Sequence, residues 1–291
     1  MAADLAGLFI FGALSLLVLW FARKNGFFHL EEQKDHWSPP IRWYQVVFAF
    51  AVYFGVAIFL VPLFSKFLRS SVFPGNAPVD FLGYASWLNF ITSSAILLGL
   101  ALFFFRLPHT IYGKILKKGD ALEPKKDLQT ALLAWLFSFP IVLFVNQLLE
   151  IVITHIVHVE RLPEQIAVHF LKMTFDYPVF FSLAILTIIL FAPLIEELLF
   201  RGFLQSFIRQ HLGSKQAILI TALCFSFFHY SPEQGLGNIP IIGSLFVLAL
   251  FLGFVYEKRG SLLAPVALHA TFNAISVINL YFFGDFPKGP L

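Results

Sequence analysis

Glu196 and Glu197 stand side by side in Pro193-Leu194-Ile195-Glu196-Glu197-Leu198-Leu199-Phe200-Arg201-Gly202, with an arginine four residues after the second carboxylate. On a helix, residues i and i+4 share a face, so Glu197 and Arg201 can pair. Glu196 points about 100° away and is left without a partner of its own. A buried, unpaired carboxylate has its pKa pushed up toward the range useful to a general base. Two further segments carry polar chemistry, Phe225-Ser226-Phe227-Phe228-His229 and His269-Ala270-Thr271-Phe272-Asn273. His269 and Asn273 are again i and i+4, so they present imidazole and carboxamide on one helical face. A carboxylate, two imidazoles and a carboxamide suit peptide-bond hydrolysis without a covalent intermediate. That reaction needs a base to deprotonate water and donors to stabilise a tetrahedral oxyanion. In this reading Glu196 is the base, assisted by His229, and His269 and Asn273 are the oxyanion donors. Glu197 and Arg201 support them by holding the helix and tuning its field.

The surroundings of these residues give them their meaning. The 291-residue chain is 58% hydrophobic and 18% aromatic, with 38 Phe, and only 13% charged. A soluble domain is about 25% charged. This composition excludes a soluble enzyme and a disordered chain. A lone cysteine, Cys224, excludes a disulfide scaffold and a cysteine-rich zinc site, and a net charge of +3 gives no reason to expect nucleic acid. The expected fold is all-α: a polytopic integral membrane protein with about eight transmembrane helices and an active site between the C-terminal ones. The spans are read at 5–22, 43–64, 81–105, 129–156, 178–200, 216–230, 238–256 and 262–283, the sixth being short. Residues 1–291 read as a single membrane domain, in which 1–160 supply N-terminal helices of unknown role and 178–283 the catalytic helices.

Within a bilayer a charge costs about 2.5–3.5 kcal/mol on insertion scales. A helix-end anchor or a packing histidine therefore explains these groups less well than a site does. Counted from Arg209, Lys215 and Arg259 as surface anchors, Glu196 lies 13 residues in, His229 14, His269 10 and Asn273 14. At about 1.5 Å per residue the four fall in one layer, roughly 15–21 Å deep.

Fifteen of the 20 Lys and Arg residues fall in the odd-numbered connections of an eight-span reading. Basic loops stay cytoplasmic, so both termini are expected on the non-cytoplasmic side. The first span lacks a basic leader and reads as a retained helix rather than a cleaved signal. Leu107–Lys126 reads as an amphipathic helix lying on an anionic leaflet, and Arg161–Tyr177 holds an interfacial helix around Ile166, Phe170 and Leu171.

The same side chains also suit a metal version, in which His229, His269 and Glu196 bind Zn²⁺. The metal-free version is preferred, because Asn is a poor zinc ligand and only two histidines converge. Neither His-Glu-x-x-His nor His-x-x-Glu-His occurs, nor do the Gly-x-Ser-Gly and Gly-x-Gly-Asp motifs of other intramembrane proteases.

Taken together, Glu196-Glu197-x-x-x-Arg201, Phe225-x-x-x-His229 and His269-x-x-x-Asn273 resemble the three signature motifs of the CAAX prenyl protease and bacteriocin-processing family. They occur in that family's order, over roughly residues 190–280. The resemblance implies an all-helical intramembrane endopeptidase, of metal-dependent or glutamate type. Glu196, His229, His269 and Asn273 carry over as catalytic, and Glu197 and Arg201 as supporting. The partners so implied are the lipid bilayer and a membrane-associated peptide or protein substrate, lipidated or not. Two other readings stay open at this point: an ion-coupled transporter, in which Glu, His and Arg form a proton path, and an inactive immunity or scaffold protein of the same fold.

Overall fold

Proline opens three of the long helices, Pro78, Pro124 and Pro178, where its missing N–H costs nothing and its fixed φ favours the first turn. The computed structural model describes residues 2–30, 39–75, 77–117, 123–159 and 162–283. In chain order the helices are α1 (Ala2–Lys24), α2 (Trp43–Val72), α3 (Pro78–Arg106), α4 (His109–Leu116), α5 (Pro124–Val157), α6 (Ile166–Thr174), α7 (Pro178–Leu212), α8 (Ser214–Phe228), α9 (Asn238–Arg259) and α10 (Leu263–Phe283). The fold is all-α and polytopic, and the described residues contain no β-strand.

Among the described residues, seven helices are long and apolar enough to cross a bilayer, not eight. The sixth expected span is α8, whose 15 residues cover about 22 Å, short of the roughly 30 Å hydrocarbon core. Two other helices run well past the expected ends. The apolar stretch of α2 continues to Val72, and α7 runs unbroken for 35 residues, carrying Glu196 and Glu197 near its middle.

α9 is the hub. In its most apolar stretch 44% of residues are buried, against 11–17% in the other six long helices. It packs along α5 on one side and α8 on the other, while α10 lies against both α5 and α9. Phe200, Phe203, Phe225 and Tyr256, all fully buried, fill the space between α7, α8 and α9. Outward-facing residues such as Phe9 and Phe59 are about three-quarters exposed, as expected of side chains that meet lipid tails.

The turn from α9 to α10 fixes where His269 begins its helix. Gly260 closes α9 in the left-handed conformation (φ 58°, ψ 34°), which suits glycine. The buried Asp127 at the start of α5 accepts hydrogen bonds from Arg259 Nε at 2.6 Å and Ser261 Oγ at 2.7 Å. Leu262 N–H donates to Leu116 O at 3.3 Å, so the end of α4 also braces this turn.

The two expected surface helices form as α4 and α6. Ile111 and Ile115 of α4 are buried against the protein, so the apolar face of that helix meets the core and not the leaflet. Lys118, counted in that stretch, and Arg161, which begins the next, lie outside the described residues. In α6, Leu171 is buried with Ala184 and Val277.

Candidate active site

α7 is not a uniform α-helix. Thr187–Phe191 and Leu198–Gln205 are π-helical, and Ala192–Glu197 between them is α-helical. The first π segment has a cause in the sequence. Within it, N–H groups reach back five residues, and Ala192 N–H donates to Thr187 O. The next position in that register would serve Ile188 O, but it is Pro193, which has no N–H. Asn273 of α10 supplies the missing donor, with Nδ2 at 2.8 Å from Ile188 O. One cross-helix hydrogen bond thus joins the helix of the carboxylates to the helix of His269.

Glu197 is fully buried and shared between two partners. Its Oε1 accepts from Arg201 Nη1 at 3.0 Å and lies 2.8 Å from His269 Nδ1. Arg201, also fully buried, donates through Nη2 to Ala249 O at 3.2 Å and stacks over the Phe225 ring at 4.6 Å. Burying one charge here would be prohibitive, and the pair is tolerable because the two groups neutralise each other.

Glu196 faces two imidazoles. Its Oε2 lies 3.7 Å from His229 Nε2 and 4.0 Å from His269 Nε2, and accepts no direct hydrogen bond. Glu196 is 17% exposed and His229 20%, whereas His269 is 7% exposed. The carboxylate therefore touches both the protein interior and an open space.

The opposite ring nitrogens determine which imidazole atoms are free. His229 Nδ1 lies 2.9 Å from Phe225 O, and a carbonyl can only accept, so Nδ1 carries the proton. In neutral His229 the lone pair is then on Nε2, facing Glu196. His269 Nδ1–H is held in the same way by the Glu197 carboxylate.

A cavity of about 600 Å³ opens from these groups. Glu196, His229 and His269 line one part of it, and α10 continues the wall through Asn273 and Leu280 to Phe283. From His269 to Phe283 is 14 residues, about 21 Å of helix. Phe139 of α5 and Leu171 of α6 close the sides, and the lining is mostly apolar.

Among the described residues, no group of three or more His, Cys, Asp or Glu side chains is arranged to hold a metal ion. Ligand atoms bound about 2.0–2.1 Å from tetrahedral zinc sit roughly 3.3 Å apart. The spacings from Glu196 Oε2 to the two Nε2 atoms are 3.7 and 4.0 Å.

Glu196, His229 and His269 converge, and Asn273 lines the same cavity. Two relationships differ from the sequence reading. Glu197 pairs with His269 as well as with Arg201, and the Asn273 amide is engaged with a backbone carbonyl. Helix periodicity reaches only four residues along one chain segment, so a contact between residues 72 positions apart was invisible to it. Pro193 was the available signal for the Asn273 contact.

Residues 178–275 match the family model described as type II CAAX prenyl endopeptidase Rce1-like. No curated protein and no solved structure matches the chain. The matched segment begins with α7 and ends two residues beyond Asn273, so it contains Glu196, Glu197, Arg201, His229, His269 and Asn273.

Proposed function

We propose, on the premise that this chain belongs to the Rce1-like family of type II CAAX prenyl endopeptidases through residues 178–275, that it hydrolyses a peptide bond of a membrane-associated protein or peptide with water activated by Glu196. The single observation that carries this reading is the position of Glu196 Oε2 against two imidazole Nε2 atoms at the wall of an apolar cavity.

In the proposed reaction, water between Glu196 and the substrate carbonyl gives its proton to the carboxylate as its oxygen attacks the carbonyl carbon. His269, with Nδ1–H held by Glu197 and protonated on both ring nitrogens, donates Nε2–H to the oxyanion that forms, whose charge balances it. The second N–H of the Asn273 carboxamide is the other donor. The proton on Glu196 passes to the leaving nitrogen, directly or through the Nε2 lone pair of His229, as the C–N bond breaks. The products are a carboxylic acid and an amine, and no covalent enzyme intermediate forms. No step is assigned to a metal.

A membrane-anchored substrate, lipidated or not, reaches the cavity from the bilayer, and cleavage falls near the cytoplasmic leaflet. In this proposal α8 and the connection after it together return the chain between the parallel helices α7 and α9, so both termini lie on the non-cytoplasmic side, as the Lys and Arg distribution suggests.

The test is cleavage of a membrane-anchored reporter peptide by the purified protein in liposomes. His229→Ala and His269→Ala are each expected to lower kcat by about 10²–10⁴-fold. Chelator treatment followed by added zinc is expected to leave the rate unchanged. Loss of activity on chelation, restored by zinc, would replace Glu196 as sole activator of water. Full activity in both histidine variants would overturn the shared site.

A further inference from the structure

Beyond Arg201, α7 continues to present polar side chains to α9 at every fourth residue. Arg201 Nη2 donates to Ala249 O at 3.2 Å, and Gln205 Nε2 donates to Gly253 O at 3.0 Å and to Glu257 Oε1 at 2.9 Å. Arg209 Nε lies 3.0 Å from Glu257 Oε2. Residues 201, 205 and 209 meet 249, 253 and 257, so one offset of 48 holds at each rung and the two helices run in the same direction. Gln205 and Arg201 are fully buried and Glu257 is 2% exposed. Such groups are costly in a membrane protein core unless paired, and here they pair across one interface.

The middle rung depends on a residue without a side chain. A Cβ at position 253 would stand 2.8 Å from Gln205 Oε1 and 3.3 Å from Ile218 Cγ2. Gly253 therefore lets the Gln205 carboxamide lie against the α9 backbone. Ser206 adds a second tie, between its Oγ and Tyr256 Oη, at 2.9 Å.

We propose that Gln205 and Gly253 are positioning residues for the hydrolysis argued above, setting the axial register of α7 on α9. The inference rests on that reading of the site. α7 carries Glu196 and Glu197, while α9 leads through the Gly260 turn into α10 with His269 and Asn273. A slip at the Gln205 rung is transmitted through Arg201 to Glu197, and so to the spacing between Glu196 and the His269 imidazole. Misplacement by about 1 Å can cost on the order of 10²-fold in rate. Neither residue touches the cavity, so substrate binding should be spared.

The experiment measures kcat and KM for the liposome-reconstituted protein, with wild type, Gln205→Ala, Gly253→Ala, the double variant and Glu196→Gln. Each single variant is expected to lower kcat by about 10–10²-fold with KM within about twofold of wild type. The double variant is expected to be no slower than Gln205→Ala alone, because the methyl group added at position 253 then meets no carboxamide. If Gln205→Ala does not fold, Gln205→Met replaces it, retaining the length while removing the donor. Multiplying losses in the double variant, a loss expressed in KM, or an unchanged kcat would overturn the proposal. Full activity of Glu196→Gln would instead overturn the hydrolytic reading itself, so the two failures are distinct.

Discussion

Asn273 Nδ2 donates at 2.8 Å to the carbonyl oxygen of Ile188, the acceptor that Pro193 leaves without a backbone partner. A proline in one helix thus creates the docking point for an amide in another. Asn273→Ala should cost about 1–3 kcal/mol of stability by stranding this carbonyl. Adding Pro193→Ala restores a backbone N–H in reach of Ile188 O, so the double variant should unfold at a higher temperature than Asn273→Ala alone. Thermal unfolding in detergent checks this, and a double variant no more stable than the single would contradict it.

Glu197 joins Arg201 to His269, and its loss should be felt more in folding than the loss of Glu196. Glu197→Ala leaves the fully buried Arg201 guanidinium without its carboxylate, a change worth about 3–5 kcal/mol. Removing both charges, as Glu197→Gln with Arg201→Met, should recover most of the folded yield. Cleavage should stay impaired, because His269 Nδ1 is then held by a neutral amide in place of the carboxylate. Detergent-extracted monomer yield and cleavage rate, measured on the same samples, separate the two effects.

At the α9–α10 turn, Glu123 sits outside the membrane-spanning helices. The Lys126 ammonium and then the Arg259 guanidinium, both hydrogen-bonded to it, hold its carboxyl below the usual carboxylate range. A folded-state pKa below the unfolded value gives stability that is present above the unfolded pKa, about 4.3. That stability is lost as pH falls through the lower, folded value. Glu123→Gln should therefore lower the melting temperature slightly at neutral pH, where the ion pairs with Lys126 and Arg259 act, and flatten its dependence on pH below about 4.3. Asp127→Asn, which weakens the hold on Arg259 and Ser261, should lower the melting temperature at neutral pH as well.

Much of this architecture is readable from residue type and spacing. Charge is so scarce that Glu196, Glu197 and Arg201 stand out inside a run of Leu and Phe, and counting turns from Arg209, Lys215 and Arg259 places the motifs in one layer. Three features lay beyond that reach. α8 was counted as a crossing span although the expected 216–230 is as short as the 15 residues that are helical, because apolarity alone does not say whether a segment reaches across a bilayer. The π segments flanking Ala192–Glu197 follow from backbone bonding that a 3.6-residue period does not encode. The bonds from Arg201 and Gln205 to Ala249 and Gly253 end on backbone carbonyls, which leave no mark in the choice of residue beyond the glycine itself.

The most direct test is the single-turnover cleavage rate of Glu196→Gln in liposomes, on a membrane-anchored reporter peptide and beside wild type. Glutamine keeps the shape of the side chain and removes its ability to take a proton from water. We expect a loss of about 10³-fold or more with unchanged reporter binding and melting temperature. A rate within about threefold of wild type would contradict the assignment of Glu196 as the base.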